Sequence, residues 1–222
     1  MACLGMLLAV HWISFFKSIQ VSTVAVGLLT FSTFPVFTTF LEPYFFDEKL
    51  RTRDITVAFI ALAGVSLVVP EFEISNSITL GALYGITAGL TFAVLSILNR
   101  KCVKNYSSLV VAFYQDSFTT LFLLPFLIPF LLLQEPAFQP RDLLLLALLG
   151  VVFTGIAHSL FIRGLKGIRA QTASIIASLE PVYGIIAAVL LLGEIPEFRV
   201  VLGGVVILGA AAYTTFKSGE TA

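Results

Sequence analysis

Three carboxylates stand inside long apolar segments of the sequence, where an ionised side chain is costly to place. Asp116 lies about nine residues into its segment, Glu180 is near the middle of another, and Glu42 is closer to a segment end. Insertion scales put the cost of such a group at about 2.5–3.5 kcal/mol, so it usually faces a cavity or a partner. Asp116 and Glu180 are therefore candidates for binding a substrate amine or for relaying protons, and a buried structural hydrogen bond is the alternative reading of all three.

Two prolines interrupt apolar segments of their own. Pro35 and Pro181 each remove a helical hydrogen bond and free the carbonyl of the residue four positions earlier. At mid-membrane a freed carbonyl is tolerated where it meets a cavity or a polar neighbour, and Ser32 and Ser178 are placed three residues before the prolines to supply one. Contact with a solute and a kink that shapes helix packing are both compatible with this pattern.

The two histidines stand beside aromatic or hydroxyl side chains in apolar segments. His11 is followed by Trp12 and, one turn later, by Phe15, which gives a polar and aromatic edge suited to a pocket. His158 follows Thr154 at the same spacing. A packed structural histidine is the alternative in each case. With two tyrosines whose hydroxyls could bind solute or mark packing, the candidate binding or coupling residues are His11, Trp12, Phe15, Ser32, Pro35, Tyr84, Asp116, His158, Glu180, Pro181 and Tyr183.

Other motifs indicate structure rather than chemistry. Gly81, Gly85 and Gly89 form a stripe of small residues that predicts close helix packing. Two histidines and two cysteines do not make a metal site of the usual His/Cys type, so no metal is expected. We find no glycine-rich phosphate loop and no nucleophile triad, so we expect no cofactor and no ATP-driven activity.

The composition sets the class of protein that must position these residues. With 58% hydrophobic and 12% charged residues, the chain is far from the composition of a soluble domain. Thirteen basic residues balance thirteen acidic ones, so there is no basic field for a nucleic acid. The sequence therefore predicts an all-α membrane protein, with the bilayer as its principal partner.

Eight segments are long enough, or nearly so, to cross a bilayer as helices. The predicted transmembrane helices cover residues 1–17, 21–46, 55–70, 78–98, 108–133, 143–162, 168–192 and 200–216. With this count, ten of the thirteen lysines and arginines fall on one side and only Lys17, Arg141 and Arg199 on the other. Basic residues near span ends are retained in the cytoplasm. We therefore expect a multi-pass protein of the cell (inner or plasma) membrane with both termini cytoplasmic.

An internal repeat is visible when the sequence is shifted by 146 residues. The shift places Ser32 on Ser178, Pro35 on Pro181 and Glu48 on Glu194, without a gap. Glu48 lies on the cytoplasmic side by the charge count and Glu194 on the opposite side. The two units therefore have inverted topology, an arrangement found in many transporters.

These motifs resemble the EamA-type transporters of the drug/metabolite transporter superfamily. The likeness rests on His11-Trp12-x-x-Phe15-Phe16, on Ser32-x-x-Pro35 with its duplicate Ser178-Leu179-Glu180-Pro181-Val182, and on the two glutamates that close the following spans. The resemblance implies ten helices in two inverted five-helix repeats around a solute cavity. Residues 1–70 would be the first repeat with three of its five helices, and residues 78–216 the complete second repeat. The chain alone is then expected to give little or no transport.

The resemblance implies a secondary transporter that works by alternating access, in particular an exporter of amino-acid-like or drug-like metabolites. A proton or the solute's own gradient would drive it. Two alternatives stay open: a membrane-embedded enzyme that acts on a lipid through Asp116 and Glu180, and a truncated remnant that transports nothing. The inverted repeat favours transport over the enzyme, since catalysis does not need such symmetry.

Overall fold

The computed structural model describes residues 1–46, 52–68, 76–134, 138–170, 173, 177 and 180–219. In this part of the chain every regular element is a helix. The helices are α1 (Ala2–Val21), α2 (Val24–Phe31), α3 (Phe34–Phe46), α4 (Thr52–Val68), α5 (Ser77–Cys102), α6 (Ser108–Gln134), α7 (Pro140–Leu148), a π-helical segment (Leu149–Ile156), α8 (Ala157–Gly164), α9 (Glu180–Leu192) and α10 (Phe198–Gly219).

Each of the eight predicted spans contains a described helix or part of one. Five helical stretches are long and apolar enough to cross a bilayer: Ala2–Val21, Val24–Phe46, Ser77–Cys102, Ser108–Leu133 and Pro140–Gly164. Three shorter apolar helices, Ile55–Val68, Glu180–Leu192 and Phe198–Ala210, fall in the remaining predicted spans. The prediction of an all-α membrane protein is confirmed.

The second predicted span is broken in its middle. The helix α2 ends at Phe31, residues 32 and 33 form a turn, and Pro35 sits in the first turn of α3, where proline is well tolerated. The Ser32 hydroxyl donates to the carbonyl of Leu28 at 2.9 Å, not to that of Phe31. The expected role of Ser32 is therefore wrong in its acceptor, because a serine in a helical turn bonds most readily to the carbonyl four residues before it.

Another irregularity lies in the span that carries His158. Between α7 and α8 the residues Leu149–Ile156 form a π-helix, with wider turns than an α-helix. It contains Gly150 and Gly155, and a Cβ on Gly155 would lie 3.4 Å from the carbonyl oxygen of Gly150. Because a π-turn contains more residues than an α-turn, the segment shifts the register of the residues that follow it, including His158 in α8.

The chain divides into two compact units, each of which draws on both halves of the sequence. Unit 1 contains Met1–Ala9 and Leu98–Arg169, and unit 2 contains Val10–Ile97 and Ala170–Ala222. These units are not the predicted repeats 1–70 and 78–216, since a compact unit is defined by packing and a repeat by sequence. The division into repeats stays a prediction.

The interior of unit 2 includes a close contact between α4 and α10. A Cβ built on Gly64 would lie 3.0 Å from the carbonyl oxygen of Gly203, and Val57 and Ala61 cluster with Ala210. Residues later in α4 therefore contact residues earlier in α10, so the two helices run antiparallel. Small residues permit this close approach of two backbones.

The glycine stripe of α5 packs as the sequence predicts. A Cβ on Gly81 would lie 3.2 Å from the carbonyl oxygen of Ser18, and one on Gly89 would lie 2.9 Å from that of Phe31. The hydroxyl of Ser18 donates to the carbonyl of Gly81 at 2.6 Å. The stripe thus holds α5 against α1 and α2 within unit 2.

Candidate functional site

Unit 1 contains a hydrogen-bonded array of three polar side chains on transmembrane helices. On α6, Asp116 Oδ1 lies 3.1 Å from His158 Nδ1 of α8, and Gln115 Nε2 lies 3.0 Å from His158 Nε2. His158 is 13% exposed and Asp116 26%. The structure therefore brings together two candidates that are 42 residues apart in sequence, and both remain accessible at one edge.

The contacts of the imidazole ring indicate which of its nitrogens carries a proton in the neutral form. An amide nitrogen is only a donor, so the Nε2 of His158 accepts from Gln115. The ring proton is then on Nδ1, which donates to the carboxylate of Asp116. The array holds the imidazole of His158 between an amide and a carboxylate, and the bond from His158 leaves the second carboxylate oxygen of Asp116 for another donor.

The backbone beneath this array is held by contact with the beginning of α1. The hydroxyl of Thr119 lies 2.8 Å from the carbonyl oxygen of Gln115 and 3.0 Å from that of Gly5. A Cβ on Gly5 would lie 2.9 Å from the same Gln115 carbonyl oxygen, so only glycine lets the helices come this close. The polar residues of α6 are therefore placed by a rigid helix contact.

Unit 2 contains an aromatic cluster around His11. The Nδ1–H of His11 donates to the carbonyl of Ala88 at 3.0 Å, and the ring is 5.2 Å from Phe92 and 5.5 Å from Phe31, centroid to centroid. Phe15 stacks on His11 at 6.0 Å, as their spacing predicts. His11 is 7% exposed, which favours a packing role for it.

Two further carboxylates hold helix N-termini within unit 2. The backbone N–H of Val24, the first residue of α2, donates to Glu194 Oε2 at 3.0 Å. The N–H of Ala170 donates to Glu42 Oε1, also at 3.0 Å, where a helical stretch begins. A carboxylate at a helix N-terminus satisfies an unpaired donor and the helix dipole. The geometry therefore favours a structural hydrogen bond as the role of Glu42.

The remaining candidates lie outside these contacts. Trp12 and Tyr84 are half-buried, Tyr183 and Glu180 are exposed on α9, and Pro181 is buried on the same helix. Ser178 and Glu48 lie outside the described residues. In the described ranges no three His, Cys, Asp or Glu side chains lie together in a way that could hold a metal ion.

Sequence reasoning did not single out Gln115. Its signal was present, because an amide side chain in the middle of an apolar span is as conspicuous as the neighbouring carboxylate. Phe31 and Phe92, whose rings contact that of His11, gave no such signal, since phenylalanine is frequent throughout the chain.

Comparison with known proteins places these features in a family. A model of the EamA-like transporter family matches residues 1–69 and 79–216. An uncharacterized transporter of Bacillus subtilis is 26% identical over 224 residues, which cover 98% of this chain and 69% of that protein. The S-adenosylmethionine uptake transporter of Rickettsia prowazekii is 26% identical over 220 residues, covering 98% of this chain and 71% of that protein.

A solved structure shares the fold. A crystal structure that is 20% identical in sequence superposes with a TM-score of 0.66 and covers 96% of this chain and 74% of its own.

Proposed function

This chain belongs to the EamA-like transporter family, and from that premise we propose that it is a secondary transporter that carries a small organic solute by alternating access. The observation that carries the proposal is the Gln115–His158–Asp116 array. Ionisable groups in transmembrane helices are expensive to keep in lipid and mark substrate or proton pathways. Here they are bonded to one another and partly accessible, as a coupling site requires.

The array supports two kinds of binding at one place. The carboxylate of Asp116 can accept a hydrogen bond from a solute ammonium or amine, since the bond from His158 uses one of its two oxygens. The ring nitrogen of His158 can accept a proton. Neither step needs a cofactor, and the named relatives are transporters rather than enzymes.

The proposal also includes the direction of transport. The sequence motifs favour export, whereas the Rickettsia relatives are named for uptake. A secondary transporter follows the gradients imposed on it, so we propose that the same site serves export in the cell and is reversible in vesicles. The basic-residue bias supports an orientation in the cell membrane with both termini cytoplasmic.

Two observations support the proposed inverted repeat behind alternating access. The helices α4 and α10 run antiparallel where they touch. The two carboxylate-held N–H groups belong to Val24 and Ala170, which are 146 residues apart.

Transport in proteoliposomes with an imposed pH gradient tests the proposal, and it also tests the expectation, implied by the family resemblance, that the chain alone gives little or no flux. The variants are compared with the wild type once a wild-type flux has been measured. Radiolabelled S-adenosylmethionine and a labelled amino-acid mixture serve as probes, with protein orientation checked separately. We expect Asp116→Asn and His158→Gln to lower proton-dependent flux at least about tenfold, the range of a lost coupling contact. Glu180→Gln tests the remaining predicted carboxylate in the same assay.

The matched control is Ser117→Ala on the same helix. Its hydroxyl is exposed and bonds only to the carbonyl of Phe113 on its own helix. This variant should transport like the wild type. If the double variant of Asp116 and His158 moved a probe with the wild-type rate and pH dependence, the array would be structural and the proposal would fail.

A further inference from the structure

The buried amide of Gln115 makes only one of the hydrogen bonds it could make. The residue is 0% exposed, and its Nε2 donates to the Nε2 of His158 at 3.0 Å. Its Oε1 is buried and makes no hydrogen bond. Buried polar atoms nearly always have a partner, so an orphaned acceptor next to a titratable ring calls for a physical reason.

The reason follows from what His158 needs in its two protonation states. In the neutral state its Nε2 accepts, and the amide nitrogen of Gln115 is the right partner. When a proton adds to the Nε2 lone pair, that atom becomes a donor, and it then needs an acceptor at the same place. The Nδ1–H bond to Asp116 is the same in both states.

We infer that Gln115 is a positioning residue whose amide inverts when His158 takes up a proton, so that Oε1 replaces the amide nitrogen opposite His158 Nε2. The inversion exchanges two groups of nearly equal size and breaks no hydrogen bond except the one that it replaces. It lets the ring gain and lose a proton without moving. The inference rests on the proposed role of His158 in coupling.

The surroundings allow this rotation and restrict larger ones. The Gln115 backbone is fixed through Thr119 and Gly5, so the end of the side chain is the part that can turn. Among the described residues, the main contacts of α8 are with α6 and with the π-helical segment that precedes it. The ionisable side chains of α6 are Asp116 and the exposed Tyr114, the π-helical segment has none, and Arg163 at the end of α8 is exposed. Asp116 is therefore the charge that faces the ring.

Nitrogen NMR of the intact chain in lipid nanodiscs tests the inference. The chain has two histidines, so a sample with ¹⁵N-labelled histidine gives two sets of ring signals, and a His11→Asn sample assigns them. The shifts report which nitrogen carries the proton and the ratio of imidazolium to neutral ring. Neutral His158 should carry its proton on Nδ1 in the wild type.

The decisive variant is Gln115→Met, which keeps the volume and removes both amide groups. A protonated ring loses a charge-assisted bond and a neutral ring loses a weaker one, so the imidazolium ratio at fixed pH should fall about fivefold. An amide fixed as a donor opposes protonation, so its removal would raise the ratio. A raised or unchanged ratio overturns the inference.

A second variant covers the possibility that Gln115→Met does not fold. Gln115→Glu keeps an acceptor opposite His158 Nε2 and should raise the imidazolium ratio, while Ser117→Ala should leave it at the wild-type value. An unchanged ratio in Gln115→Glu overturns the inference as well. None of these measurements uses transport, so a failed transport assay and a failed inversion are distinguishable results.

Discussion

The contact between α4 and α10 predicts a specific loss of stability for Gly203→Ala. The new Cβ would lie 2.6 Å from the carbonyl oxygen of Gly64, 2.7 Å from Val68 Cγ2 and 3.1 Å from the backbone nitrogen of Val68. Two of these three neighbours are backbone atoms, which cannot rotate away, so the helices must separate. Overpacking of this kind costs about 1–3 kcal/mol.

A glycine on the same helix provides the control. A Cβ on Gly209 would meet nothing within 4 Å. Both substitutions gain the helix propensity of alanine, about 0.8–1.0 kcal/mol, but only Gly203→Ala introduces a steric clash with α4. The free energy of unfolding should therefore be about 1–3 kcal/mol lower for Gly203→Ala than for Gly209→Ala.

Unfolding by SDS titration in mixed micelles measures the difference. Trp12 is the single tryptophan and belongs to the same compact unit as both glycines, so its fluorescence reports the relevant transition. Circular dichroism on the same samples checks that the helices remain at the start of the titration. If Gly203→Ala were as stable as Gly209→Ala, the close packing of these helices would be wrong.

Three other predictions use simpler readouts. Glu42→Ala should lose about 1–3 kcal/mol of unfolding free energy because it removes the carboxylate that accepts from the buried N–H of Ala170. Glu42→Gln, which keeps an acceptor, should lose less, and equal losses would contradict the contact. In a Cys3→Ser chain, Cys102 should resist an impermeant maleimide in intact cells and react after permeabilisation, and labelling from outside would reverse the orientation. In an experimental structure, residues 15–67 and 161–213 should superpose about a pseudo-two-fold axis in the membrane plane, and a parallel arrangement would exclude the inverted repeat.

The sequence predicted the helical architecture because hydrophobic length is a local property. A segment that crosses a bilayer must be apolar for about 20 residues and must satisfy its backbone by helix formation, and both conditions can be read from consecutive residues. The effect of proline on a helix is also local, so the sequence could place an interruption of the span at Pro35. The acceptor of Ser32 could not be predicted in this way, because it depends on which carbonyl lies within reach of the hydroxyl in the folded turn at residues 32 and 33.

The site was predicted only in part. Asp116 and His158 were each conspicuous as polar residues in apolar spans, but their pairing joins residues 42 positions apart. Which side chains meet depends on the rotation of each helix about its own axis, and α8 follows directly on a π-helical segment whose wider turns shift the register of the residues after it. Only the folded structure identifies Gln115 as a site residue, because it places the amide next to the imidazole ring of His158.

The sequence by itself determined that this chain is an all-α membrane protein of the EamA-like transporter family, because length, apolarity and motif order are written along the chain. The tertiary structure decided the assignments among the polar residues. It places Glu42 and Glu194 at helix N-termini, His11 in an aromatic cluster, and Asp116 against His158. The physical reason is that a polar group in an apolar span must find a partner, and only the packing of distant helices determines which partner is within reach.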